Sequence, residues 1–147
     1  MALPLPTDIT ENTINHDQLH NNVNAEVNRL GQDTGRRNVA TLLINGWTAT
    51  SVEIQRQAGR CYLRFAGLNG SAATSSRFMD MPAGFQPPYI AETYAQRNAS
   101  SSFVQGVTLS LSGGFTMPSG TVLGSATREI SWACEAAWPS TLPGTAI

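Results

Sequence analysis

Between His16 and Leu30, the positions His16, His20, Val23, Val27 and Leu30 follow one another at intervals of four, three, four and three residues, with Gln18, Asn21, Asn22, Asn24, Glu26, Asn28 and Arg29 among the residues between them. That spacing draws one narrow seam along a helix, too thin to anchor a helix on a globular core and suited to a parallel bundle of identical chains. Thr13 or Asn15 is placed to cap the helix and Gly31 to end it, which sets a stalk over residues 13–31. About four turns are marginal for an isolated coiled coil, so the remainder of the chain must supply most of the assembly's stability. Beyond Gly31 the period of apolar residues changes to two and stays so almost to the C-terminus. The seam therefore reads as an oligomeric stalk and the β-rich remainder as what it carries.

Residues 1–12 contain two prolines and no helical period, and read as an extended anchor peptide whose Leu3, Leu5 and Ile9 dock in a groove on another protein. Residues 32–38 form a polar linker, and residues 39–147 a single head domain. Within the head, Val39 to Ile44 reads as a first strand closed by an Asn45-Gly46 turn, followed by a strand through Val52 and Ile54. Cys61, Leu63 and Phe65 alternate with Tyr62 and Arg64, the clearest period-two signal in the chain. Further strands are predicted at 77–81, 90–95, 103–111, 115–117, 122–123 and 129–136. Turn signals between them point to a mainly β fold, an antiparallel β-sandwich of jelly-roll-like type.

Charged residues make up 13% of the chain and the net charge is −1, so no basic field exists to hold nucleic acid or an anionic membrane. No apolar run approaches the roughly 18 residues of a membrane span, nor does the N-terminus carry the apolar region of a signal peptide. Cys61 and Cys134 each take the small apolar place in an alternating run, as buried free thiols do; a disulfide is open to them if their strands pair. The two histidines, His16 and His20, both lie on the stalk seam, away from any serine and acid that would complete a triad. Three copies at one layer would surround a metal or an anion on the axis, or serve as polar layers fixing register, and would make the stalk pH-sensitive. Glu53, Glu92, Glu129, Glu135 and Asp80 are scattered without the pairing of glycosidase carboxylates, so the chain reads as non-enzymatic and free of cofactors. Arg56, Arg60 and Arg64 lie near one strand end, open to pairing with Glu53 or Glu92 or to an acidic partner, and read by default as solvated surface. Trp47, Tyr62, Tyr89, Tyr94 and Trp138 are the candidate aromatics for a receptor or for a neighbouring subunit.

Three quoted stretches carry a family resemblance. VEIQRQAGRCYLRFAGL (52–68), FMDMPAGFQPPY (78–89) and EISWACEAAWP (129–139) resemble, in this order, the C-terminal β-domain of bacteriophage tail-fibre, baseplate and minor tail proteins. Those proteins place a Leu-Pro-x-Gly-Phe-x-Pro bend after the first hairpin; here the bend is Met81, Pro82, Gly84, Phe85 and Pro87, with methionine in place of leucine. Between bend and last strand the chain has SLSGGFTMPSGTVLGS (110–125) where the family has a hairpin with a central Gly-x-Val pair. NHDQLHNNVNAEVNRL (15–30) is similar to the His-x-x-x-His run that precedes a short trimeric stalk in phage fibres. The resemblance implies a homotrimeric virion protein assembled in the bacterial cytoplasm and fixed by its N-terminus to other capsid or tail proteins. It implies a short fibre or decoration spike, or alternatively an adhesin that recognises a host cell-surface glycan or protein.

Overall fold

A computed structural model of the chain describes residues 14–96, 104–110 and 114–147. The anchor residues Leu3, Leu5 and Ile9 lie outside the described residues, and so does the side chain of His16. Helix α1 spans Ile14–Leu30, and the strands are β1 (Arg37–Asn38), β2 (Ser51–Gln57), β3 (Arg60–Ala66), β4 (Arg77–Asp80), β5 (Ala91–Gln96), β6 (Val104–Leu109), β7 (Gly114–Thr116), β8 (Arg128–Ala133) and β9 (Thr145–Ala146). They form two antiparallel sheets, ordered β8-β3-β2-β1-β9 and β4-β7-β6-β5, in a β-sandwich-like architecture. In the first sheet β9 returns by a long connection to lie beside β1, the Greek-key order, while β5, β6 and β7 follow one another as a meander.

The hairpin legible in the sequence is the frame of the larger sheet. β2 and β3 pair from Ser51↔Ala66 to Gln57↔Arg60, and the two-residue loop Ala58-Gly59 takes positive φ at both positions (48° and 80°), the hairpin turn that follows the twist of its strands. β8 then pairs with β3, bringing Ile130 opposite Leu63 and Trp132 opposite Cys61. Alternation sends Val52, Ile54, Cys61, Leu63, Phe65, Ile130 and Trp132 inward to meet Phe78, Met79, Val107, Leu109, Phe115 and Met117 of the smaller sheet. A run of rings crosses this core: Trp47 to Phe78 at 5.7 Å, Phe78 stacked on Phe115 at 5.7 Å, and Phe115 edge-on to Trp132 at 5.3 Å.

The strand expected at 39–44 is absent. Asn38 Oδ1 accepts the Ala40 N–H at 3.0 Å, and the chain turns into a short 3-10 helix over Ala40–Leu42. A strand there would have stayed in one sheet; the turn instead lets Val39 bury completely and carries the chain across to β4. There Ile44 N–H reaches the Phe78 carbonyl at 3.0 Å and Leu43 bridges to Met79. The strand expected at 122–123 is likewise reduced to one bridge, between Val122 and Asn69. β1 and β9 were unpredicted, because two residues each (Arg-Asn and Thr-Ala) carry no alternation to read.

Candidate functional site

The helix presents an apolar row that the other described residues leave open. Leu19, Val23, Val27 and Leu30 are 60%, 52%, 47% and 53% exposed, so about half or more of each side chain meets solvent in the single chain. His20 is exposed on the same element. Leu19 is missing from the sequence reading because the 4-3-4-3 seam passes beside it. The row Leu19, Val23, Val27, Leu30, at intervals of four, four and three, was available as a helix face of its own. Arg29 is held to Glu26 by two hydrogen bonds of 2.7 and 2.5 Å, near the point where the chain enters the head. A Cβ added to Gly59 would lie 2.6 Å from Arg29 Nη1, so the hairpin loop and the last turn of α1 are in contact.

Below that contact lies the residue most misjudged from sequence. Arg56 is not on a solvated face: it continues the inward phase of Val52 and Ile54 and is 6% exposed. Its Nη1 donates to the carbonyls of Gly84 (2.6 Å) and Ala137 (3.0 Å), its Nη2 to Ala136 (2.8 Å), and its guanidinium lies 4.7 Å from the Trp138 ring. One side chain thus ties β2 to both the proline-rich bend and the segment after β8, through hydrogen bonds whose donor is charged. The bend is arranged to offer its carbonyls. Phe85 N–H bonds to Pro82 O at 3.1 Å, Gln86 Oε1 accepts the Gly84 N–H at 2.9 Å, and Trp132 Nε1 donates to Phe85 O at 2.8 Å. Phe85 is fully buried, Pro87 buried and Pro82 half-buried.

Gly84 has φ of 82°, and a Cβ there would stand 2.8 to 2.9 Å from Pro139. Gly84→Ala should therefore lower the free energy of unfolding by about 2–4 kcal/mol in a urea titration, from left-handed strain and displacement of Pro139. A loss within about 0.5 kcal/mol, the range of a neutral surface change, would contradict this packing.

The five aromatic candidates separate. Trp47 is 4% exposed, its Nε1 bonded to Ser75 O at 2.9 Å, so this core ring is closed to a receptor. It buries because the crossing segment 39–44 turns Trp47 onto Phe78. Trp138 is half-buried and engaged by Arg56, and Tyr62 is half-buried with the Arg64 guanidinium 5.7 Å from its ring. Arg64 in turn pairs with Glu129 at 2.6 Å, and Arg60 donates to Ser131 Oγ at 2.9 Å, so the outer face of the larger sheet is a polar, paired surface.

Tyr89 and Tyr94 remain open, at 60% and 66% exposure. Tyr94 stands on edge strand β5 opposite Gly106, and with Glu92, Thr108, Thr116, Ser76 and Pro118 it lines a shallow groove of about 410 Å³ on the outer face of the smaller sheet. A second cleft, of about 460 Å³, lies at the foot of the helix between Arg29, Gln32, Arg56, Cys134, Glu135 and Trp138.

Among the described residues no three His, Cys, Asp or Glu side chains of one chain converge as metal ligands, and no helix is long and apolar enough to cross a membrane. Comparison with protein-family models, with curated proteins and with solved structures finds no match to this chain.

Proposed function

We propose that this chain is a non-enzymatic structural protein of a bacteriophage virion, a homotrimeric short fibre or decoration spike. Residues 1–12 fix it to a capsid or tail protein, the helices of three chains form a parallel stalk, and the β-sandwich is the head. The head shares with jelly rolls the Greek-key return of β9 beside β1. The observation that carries the reading is the helical row Leu19, Val23, Val27 and Leu30, left about half exposed while the head closes its own apolar core. A row of that kind is stabilised by copies of itself, and a parallel bundle gives each chain the same partner surface.

The adhesin reading draws on a different observation, the groove under Tyr94. An open aromatic beside a carboxylate and three hydroxyls is the composition that holds a sugar, with its apolar face on the ring and its hydroxyls on Glu92, Thr108, Thr116 and Ser76.

Light scattering of the full chain at micromolar concentration should return three times the 15.7 kDa chain mass; the mass of one chain would overturn the stalk. Complementation of a phage lacking the protein with a chain missing residues 1–12 should yield particles without it, while the purified truncation remains trimeric. Normal incorporation would move the attachment to stalk or head. Binding of the purified protein to host cells rather than to particles lacking it would favour the adhesin.

A further inference from the structure

We propose that Cys61 and Cys134 form a dithiol that closes to an intramolecular disulfide when a small disulfide compound enters the cleft at the foot of the helix. The β3–β8 ladder sets the pair up. Arg60 faces Ala133, and the ladder runs one step further, with Cys134 N–H on the Gly59 carbonyl at 2.8 Å. Cys61 and Cys134 are therefore diagonal neighbours on adjacent strands, both on the inner face and both buried as free thiols. Each thiol is the largest influence on the other's titration, and Cys134 S–H donates to the Gly84 carbonyl at 3.3 Å. Covalent closure joins the two sulfurs by a bond of about 2.05 Å across this diagonal.

The two cysteines differ in access and in charge. Cys134 lines the cleft with Arg29, Gln32, Arg56, Glu135 and Trp138, whereas Cys61 is fully buried behind it. The Cys61 thiol is the largest influence on Cys134, and with the backbone at Ala136 and the Arg56 charge it holds this thiol down at about 6 against the opposing effects of burial and Glu135. The neighbouring Cys134, followed by burial, pushes Cys61 up. Cys134 is thus the attacking thiolate and Cys61 the resolving thiol.

The chemistry is thiol–disulfide exchange. The Cys134 thiolate attacks one sulfur of the small disulfide, forming a mixed disulfide and expelling one thiolate. Cys61 then gives up its proton and attacks Sγ of Cys134, forming the Cys61–Cys134 bond and expelling the second. Two electrons pass from the cysteine sulfurs to the small disulfide, which leaves as two thiols. The new bond joins β3 to the segment whose carbonyls Arg56 holds.

Hydroxyethyl disulfide, small enough for the cleft, is the probe. Incubation of the native full chain should remove both titratable thiols, lower the intact mass by two hydrogens, and be reversed by dithiothreitol. The oxidised protein should melt about 10 °C higher than the reduced one. Cys61→Ser should stop at a single hydroxyethylthio adduct on Cys134, while Cys134→Ser should leave Cys61 unmodified under the same conditions. Retention of two free thiols by the native wild-type chain, cross-linking between chains, a lower melting temperature of the oxidised form, or equal labelling of the two variants would overturn the proposal.

Discussion

Arg56→Met is expected to destabilise the folded head by about 3–5 kcal/mol, the effect of removing one partner from a buried, charged hydrogen-bond cluster. Methionine keeps much of the stem's volume but takes the charged donor from the carbonyls of Gly84, Ala136 and Ala137 and leaves the buried Gly84 carbonyl with the weak Cys134 S–H. It also removes the cation from the Trp138 ring, a contact that contributes about 1–2 kcal/mol when desolvated. Arg56→Lys keeps the charge, yet one ammonium cannot span three carbonyls from the guanidinium's fixed plane, so about half of the loss should remain. The comparison residue is Arg60, exposed and bonded only to Ser131 Oγ, where replacement by alanine should change stability by less than about 0.5 kcal/mol. Urea titrations followed by tryptophan fluorescence measure all three. Equal losses for Arg56 and Arg60 would mean that the bend and the C-terminal segment are held without the Arg56 guanidinium.

The joint substitution Val23→Asp with Val27→Asp should abolish the trimer proposed above at micromolar concentration while leaving the head folded. Each valine is about half exposed in the single chain. Burying the rest of it contributes about 1 kcal/mol per side chain, so six valines supply about 6 kcal/mol to a trimer. Carboxylates at those layers add a larger penalty, because three like charges would meet at each one without partners. The expected readout is a fall from three chain masses to one in light scattering, with the near-ultraviolet circular dichroism of the head unchanged. A trimer that survives both changes would place the subunit interface on the sandwich, with the groove under Tyr94 the first surface to examine.

Much of the head is legible in local pattern. Strict alternation marks β3 and β2 because successive side chains point to opposite faces of the sheet, one packed on the core and the other turned outward. The Asn45-Gly46 pair and Gly59 mark the turns because glycine, and less readily asparagine, sits comfortably at positive φ, whereas Ala58 is carried to 48° by the hairpin itself. The same alternation places Arg56 inward with Val52 and Ile54, against the general preference of arginine for the surface. The apolar row of the helix was legible too, although a seam chosen through the two histidines passed over Leu19.

What the chain determines by itself, then, is where strands and turns form and which side of each strand is apolar, since those follow from a residue's own backbone preference and from neighbours two positions away. The pairing of β3 with β8, the two-residue strands β1 and β9, and the crossing of segment 39–44 to β4 were decided only by tertiary structure. So were the site around Arg56 and the meeting of Cys61 with Cys134. Each joins residues tens of positions apart through backbone carbonyls or diagonal neighbours, and a carbonyl is the same group at every residue. Nothing in the side-chain pattern distinguishes Gly84, Ala136 and Ala137 as acceptors until the fold brings them around one guanidinium.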